Sequence, residues 1–307
     1  MAFTSFVGTT KADGLIPVEY ANQIISMLPE QSAALSLFTS VPMGTKTTVM
    51  PISTALPVAG FVGEGGAFSA TTATWVGKNL IAEKVGCIVP IAREILEDTS
   101  FDIQADLLPK VVQAFGKAID AAVFFGVGKP SAWTCNDILS GATAASNALI
   151  TKSVTGQDLA GDLSDIMSLV EADGYTVNGF VCANGLKGSL RNLRDKNNAP
   201  IYQAITSASP ALIYGENAYF SKNGGFDATK ALSFAGDFTK GIIGMRSDIY
   251  MQILTEASIT AGSDVISLAQ NDMVGLKFVM RVGFQVADVV TATGTNQYPF
   301  AILKPAS

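Results

Sequence analysis

"REILEDTSFDIQADLLPKVVQAFGKAIDAAVFFGVGKP", residues Arg93 to Pro130, decides the reading of this chain. Four acids crowd its front, Glu94, Glu97, Asp98 and Asp102, and a Gly-Val-Gly-Lys closes it. Such a stretch is either an active site or a long helix with a charged entrance and a glycine exit. Leu108, Val112, Phe115, Ile119 and Ala122 recur at spacings of four, three, four and three, which is one apolar face of a helix. Ser100 serves as its N-cap, and Asp102 stands in the first turn, where the helix dipole favours negative charge. Pro109 removes a backbone donor and is expected to kink or restart the helix. From Pro109 to Phe125 the helix would run about 25 Å, and Gly126 and Gly128 would stop it.

The spacing favours the helix over the site. A phosphate loop needs Gly, four residues, Gly-Lys and then Ser or Thr. Val123 stands at the first glycine position and Pro130 at the hydroxyl position. Glu94 and Asp98 are four apart and would share a face, so a metal or an acid-base pair comes into question. Acids in a first turn are ordinary helix chemistry, and the structural reading is the simpler one.

Composition narrows the function. The chain has 307 residues, enough for one large or two ordinary domains. Charged residues are 15% and apolar ones 48%, against about 25% charged in typical soluble domains. So little charge does not coat a large monomer, which implies an obligate oligomer whose surface is covered by other protein. The net charge is −6, and the densest basic stretch, Leu186 to Lys196, is interrupted by Asp195. A dedicated nucleic-acid grip needs clustered cations. There is no histidine, which excludes Ser-His-Asp and Cys-His catalysis and any His-ligated metal. Cys87, Cys135 and Cys182 are far apart, with neither zinc spacing nor a redox pair, so a reduced, cytosolic chain is expected. The N-terminus lacks the layout of a signal peptide. The charge-free run from Thr47 to Gly63 is broken by Pro51 and Pro57, so no membrane partner is expected.

Along the chain, residues 1 to about 20 read as an extended arm, followed by helical spacing to about Leu37, broken at Pro29. Thr45 to Ser53 reads as a strand. Pro57 to Ile91 reads as a two-stranded excursion with a flexible turn around Glu64 to Thr72. Its tip has too few apolar residues to fold alone, so it makes sense lying on a neighbour. Residues 131 to 157 read as a connection. A second unit follows: a capped helix within Gly156 to Gly174, then strand, turn and helix over Gly179 to Asp195, then two strands within Ala231 to Leu254. A last long strand lies within Asp272 to Val290.

The order of these segments resembles the major capsid protein family of tailed bacteriophages, with the Hong Kong 97 type of fold, over about Gly14 to Lys304. The likeness is carried by "GLIPVEYANQII" from Gly14, by "AGFVGEGGAFSATTATWVGKNLIAEKVGCIVPIAREILEDTSFDI" from Ala59, and by "FGVGKP" from Phe125. It is carried also by "LRDKNNAPIYQ" from Leu193, with Asn198 where the family commonly has Gly, and by "FAGDFTKGIIGMRSDIYMQI" from Phe234. The resemblance implies an α+β capsid fold. Residues 1–40 would form the N-terminal arm and first helix. Residues 41–57 and 89–154 would form a peripheral domain, with its spine helix at about 100–125. Residues 58–88 would be the extended loop, 155–254 the axial domain, and 255–307 the return strand and C-terminal strand.

It further implies a non-catalytic shell protein without cofactor or metal, assembling with itself as pentamers and hexamers of an icosahedral capsid. The capsid would form in the host cytoplasm and become part of the virion. It would enclose double-stranded DNA without sequence-specific binding. Separate scaffold, portal and decoration proteins are further candidate partners. Glu64, Trp75, Lys78, Arg93, Asp98, Asp237, Arg246 and Arg281 are the candidate inter-subunit contacts. Some members of the family join a loop lysine to a neighbour's asparagine with the help of a buried glutamate. Lys78 and Asn271 lie near those positions, but Met280 stands where the glutamate belongs, so no cross-link is expected. Met1 is followed almost at once by the arm, which implies a separate scaffold protein or a chain written without its pro-segment. The alternative within the same fold is an encapsulin-like compartment. A soluble enzyme and a tail or decoration protein fit the composition and the helices less well.

Overall fold

From Met273 to Val286 every even position is apolar, and this pattern organises the molecule. Valines, leucine, methionine and phenylalanines at 274, 276, 278, 280, 282, 284 and 286 are all buried, as period-two alternation on a covered sheet face requires. The computed structural model describes residues 27, 31–94, 103–151, 158–194, 197, 212–261, 264–288 and 297–306, apart from the side chains at 103–106, 247–249, 261 and 264.

The elements run α1 (Ala33–Leu37), β1 (Thr39–Met43), β2 (Thr47–Ala55), β3 (Thr74–Ile81), β4 (Glu83–Ala92), α2 (Ile103–Phe125), α3 (Ile138–Ala144) and β5 (Ala148–Ile150). Next come α4 (Leu159–Ala172), β6 (Gly179–Ala183), α5 (Leu186–Arg191), β7 (Leu212–Ile213), β8 (Glu216–Ser221) and β9 (Ser233–Gly236). A 3-10 turn at Phe238–Lys240 leads into β10 (Gly241–Leu254), β11 (Ser258–Ala261), β12 (Asp264–Ser267), β13 (Met273–Val286) and β14 (Phe300–Lys304).

Two sheets carry the fold. One has the order β1-β10-β13-β4, and the other β5-β14-β9-β6-β8-β7. The even face of β13 packs against α2, whose Leu108, Val112, Phe115 and Ile119 point inward as their spacing requires. The same core takes in Val181, Phe234, Phe300 and Ile302 from one face of the second sheet. The other face, with Phe180, Cys182, Ala235 and Leu303, packs against Leu163, Ile166 and Val170 of α4. Covered on both faces, β6 is buried at all five positions.

Phe38 joins the two sheets. Its ring lies 5.8 Å from Phe124 of α2, 5.9 Å from Phe284 of β13 and 5.9 Å from Phe300 of β14. A Cβ at Gly241 would come within 2.3 Å of this ring, so the approach demands glycine there. A second tie is polar. Asp120 of α2, 2% exposed, accepts hydrogen bonds from the Ser32 hydroxyl (2.7 Å), the Ala33 and Ala34 amides (3.0 Å each) and the Asn223 amide (2.7 Å). Burial pushes its carboxyl above the ordinary range, and these hydrogen bonds oppose the shift. Asn223 also donates to the Gln31 carbonyl at 2.7 Å. One carboxylate thus ties the start of α1 and the turn after β8 to the C-terminal part of α2.

Several expectations are corrected. Helix α2 runs through Pro109 without interruption. Gly126, at φ +67°, ends it, and its amide donates to the Ala122 carbonyl at 3.2 Å. The stretch expected as a connection contains α3 and β5. Asp137 starts α3 by accepting from the Ser140 amide at 3.0 Å, an Asx cap among residues otherwise too small to show a pattern. Strand β4 falls largely inside the range expected for the loop, yet it pairs with β13; the excursion is instead the hairpin β2–β3. Strand β10 falls inside the range expected for the axial domain, yet it pairs with β1 and β13 of the first sheet. Strand β14, the C-terminal strand, pairs with β9 and β5 in the second sheet. The arm, Ser100 and Asp102 lie outside the described residues.

Replacing Asp120 with alanine should lower the folding stability of the unassembled chain by roughly 3 kcal/mol, because four buried donors from two segments lose their acceptor. Chemical denaturation of the variant beside the parent chain measures this, and a change too small to detect would contradict the role given to Asp120.

Candidate assembly surfaces

Strands β2 and β3 form a two-stranded ribbon with Thr47 opposite Ile81 and Ser53 opposite Trp75. Their Thr and Val content suits strands, but a lone ribbon has no sheet to shelter it. It is held at its root. Gly244 and Gly283 stand opposite each other in β10 and β13, and β3 crosses the sheet over them. A Cβ at Gly283 would meet the Ile81 carbonyl oxygen at 2.8 Å, and one at Gly244 would meet the Leu80 side chain at 2.7 Å. Into this notch Leu80 inserts, fully buried against Met43 and Ala82. The Trp133 indole N–H donates to the Ile81 carbonyl at 3.1 Å, and the Ala82 amide donates to the Lys46 carbonyl at 2.8 Å.

Beyond the root the ribbon is bare. Seven of the fifteen exposed large apolar side chains among the described residues lie between Val49 and Val76. Phe61 is 110% exposed, Phe68 87% and Trp75 66%. Residues 56–73, which join the strands, contain one charged side chain, Glu64. Apolar exposure concentrated in this way marks a surface that another protein covers.

The candidate contacts fall into separate places. Glu64 lies exposed in the connecting loop, next to Gly65 at φ +82°. Lys78 forms an ion pair with Asp288 of its own chain. Arg93, at the end of β4, pairs with Asp272 (Nε to Oδ1 3.4 Å), and its amide donates to the Asp272 carbonyl at 3.0 Å. Asp237 caps the 3-10 turn, accepting from the Thr239 amide at 3.1 Å and the Asn178 side-chain amide at 3.0 Å. Asp98 lies outside the described residues. Arg246 and Arg281 stand directly opposite each other, and Lys84 of β4 stands opposite Arg281. Single-strand reading did not show this row, because register becomes visible only once the strands are paired.

Little here favours chemistry. A cavity of ≈ 390 Å³ is lined in part by Lys78, Cys135, Asn136, Asp288 and Tyr298. Burial pushes the Cys135 thiol up to about 11, and it donates to the Phe284 carbonyl at 3.3 Å, so it is not a thiolate at neutral pH. Burial likewise takes Cys182 to about 12. Among the described residues no three His, Cys, Asp or Glu side chains gather as metal ligands, and no helix is long and apolar enough to cross a membrane. Met280 is 1% exposed within the core, and Asn271 donates to the Ser267 carbonyl at 3.0 Å.

Residues 12–291 match the model of the phage capsid family. The major capsid protein of Staphylococcus phage 80alpha is 25% identical over 282 residues, covering 91% of this chain and 83% of that one. A solved structure from Microbacterium phage Oxtober96 superposes with a TM-score of 0.80 at 39% identity, over 90% of this chain and 91% of that one. One from Mycobacterium phage Adephagia superposes with a TM-score of 0.80 at 30% identity, over 90% of each chain. The fold is therefore the α+β Hong Kong 97 type expected from the sequence.

Gly283→Val should leave both sheets folded but loosen the hairpin, since its side chain would occupy the path of β3. Hydrogen exchange should rise selectively at Leu80 to Ala82, by about tenfold for a cost of ~1.4 kcal/mol; unchanged protection there would show that the notch does not hold the root.

Proposed function

The chain belongs to the phage capsid family, and from that premise we propose that it is the major capsid protein of a tailed double-stranded DNA phage, closing as pentamers and hexamers into an icosahedral shell. The observation that carries this reading is the bare hairpin. It is fixed at one end by Leu80, nearly uncharged across residues 56–73 and exposed at Phe61, Phe68 and Trp75. An isolated chain gains nothing from such an arm. A neighbour lying beneath it removes that apolar area from water at about 25 cal/mol per Å². The low charge content of the chain supports the same conclusion.

In this reading the sheet β1-β10-β13-β4 with α2 is the peripheral domain, and the six-stranded sheet with α4 and α5 is the axial domain. The extended loop is the β2–β3 hairpin. The protein has no catalytic step of its own. It assembles in the host cytoplasm, with portal and decoration proteins as further partners, and encloses DNA without reading its sequence. No covalent mesh forms: Met280 supplies no base, and Lys78 is already paired with Asp288.

Phe61→Ser with Phe68→Ser should leave the melting of the unassembled chain unchanged, because both rings are exposed. The same variant should lower the yield of shells in electron micrographs by about tenfold or more. Shells at the parental yield would contradict the role given to the hairpin. Parental particles boiled in denaturant should run as a single monomer band; a ladder of covalent oligomers would show that a cross-link forms after all.

A further inference from the structure

Three Asn-Gly steps occur in the chain, at Asn178, Asn184 and Asn223. Glycine has no Cβ, so the carboxamide carbon of an asparagine before it lies open to the glycine amide nitrogen. Whether that nitrogen attacks depends on the freedom of the side chain and of the turn. The fold treats the three steps differently.

Two are locked. The Asn178 side-chain amide donates to Asp237 at 3.0 Å, and its oxygen accepts from the Phe238 amide at 2.9 Å. Gly179 after it is the buried first residue of β6. Asn223, 6% exposed, donates to the Gln31 carbonyl and to Asp120 at 2.7 Å each. Its oxygen accepts from the Ser221 hydroxyl and the Gly225 amide at 2.9 Å each. Neither carboxamide can turn toward the main chain without giving up these bonds.

Asn184 differs. With Gly185 it forms the turn between β6 and α5, and both residues are exposed. Among the described residues no hydrogen bond holds its carboxamide. A Cβ at Gly185 would meet nothing within 4 Å, and Gly185 lines a cavity of ≈ 520 Å³ with Leu186, Leu193 and Leu232. The flanks are firm. The Ala183 amide donates to the Leu232 carbonyl at 2.9 Å, and the Lys187 amide to the Asn184 carbonyl at 3.3 Å.

We propose that Asn184 is a site of spontaneous modification, converted through a succinimide to aspartate and isoaspartate. The Gly185 amide nitrogen, its proton taken by hydroxide, attacks Cγ of Asn184. A new carbon–nitrogen bond closes the ring, the bond from Cγ to the side-chain nitrogen breaks, and that nitrogen leaves as ammonia. Water then opens the ring at one carbonyl or the other. The balance is one water consumed and one ammonia released, with no oxidation or reduction. Aspartate adds a negative charge to the subunit. Isoaspartate also inserts the side-chain methylene into the main chain between β6 and α5, whose Leu186 and Leu190 are buried. The reaction needs no partner, so it stands apart from the capsid reading.

Incubating the purified chain at mildly alkaline pH, digesting it in acid and weighing the peptides follows each step separately. Asn184 should convert at least about tenfold faster than Asn178 or Asn223, which must first break their hydrogen bonds. The product should be a mixture of aspartate and isoaspartate, the latter accepting methyl groups from a protein-isoaspartate methyltransferase. In the chain unfolded by guanidinium the three steps should convert at comparable rates, because the fold no longer separates them. Gly185→Ala should keep the parental melting curve, given the open space, and slow conversion at Asn184 by about tenfold. Conversion at Asn184 no faster than at the other two in the folded chain would overturn the proposal. So would equally fast conversion in Gly185→Ala, or a product without isoaspartate.

Discussion

A ribbon can stand clear of its own domain only if its root is fixed, and here the root depends on two glycines facing each other. Gly244 and Gly283 leave the sheet without side chains at one pair of positions, and Leu80 fills the space as β3 crosses. No other residue fits, because a Cβ on either strand would meet Leu80 or the Ile81 backbone. The direction in which the hairpin leaves the molecule is set there. So is the place of the cationic row, which lies one pair of residues further along the same strands.

The hairpin is useful only if the body holding it is stiff. Phe38 provides stiffness by meeting rings from α2 and from both sheets, so that neither sheet can shift without breaking the same aromatic cluster. Asp120 adds directional restraint, because a carboxylate with four donors has one acceptable position for each. Together they make a rigid platform that presents exposed apolar area on a thin arm. That division of labour suits a tile: the body transmits geometry and the arm covers the neighbour.

The long elements were legible because they repeat. Helix α2 and strand β13 each show one apolar face over many residues, and no competing pattern accounts for Phe115, Ile119 or Phe284. Short elements were not. Helix α3 consists of Ala, Gly, Ser and Thr besides Ile138 and Leu139, and only Asp137 marks its start. Sheet membership was the larger gap. Strand β10 was legible as a strand, but nothing within a strand states its partner, so the sheet it joins was not. Asp120 gave a signal that was passed over: a charge among Phe115, Ile119 and Val123 on an apolar helix is buried and needs partners. The exposed tip was legible in part, since residues 56–73 plainly lack charge, whereas the row of Arg246, Arg281 and Lys84 exists only after pairing.

The central claim is that the hairpin lies exposed in the free chain and covered in the shell. The two tryptophans make this directly measurable, since Trp75 sits on the hairpin and Trp133 is buried at its root. With Trp133 replaced by phenylalanine, acrylamide quenching reports on Trp75 alone. The account predicts strong quenching in the unassembled chain and a loss of most of it in assembled particles. Equal quenching in both states would mean that no neighbour covers the hairpin, and the account would fail.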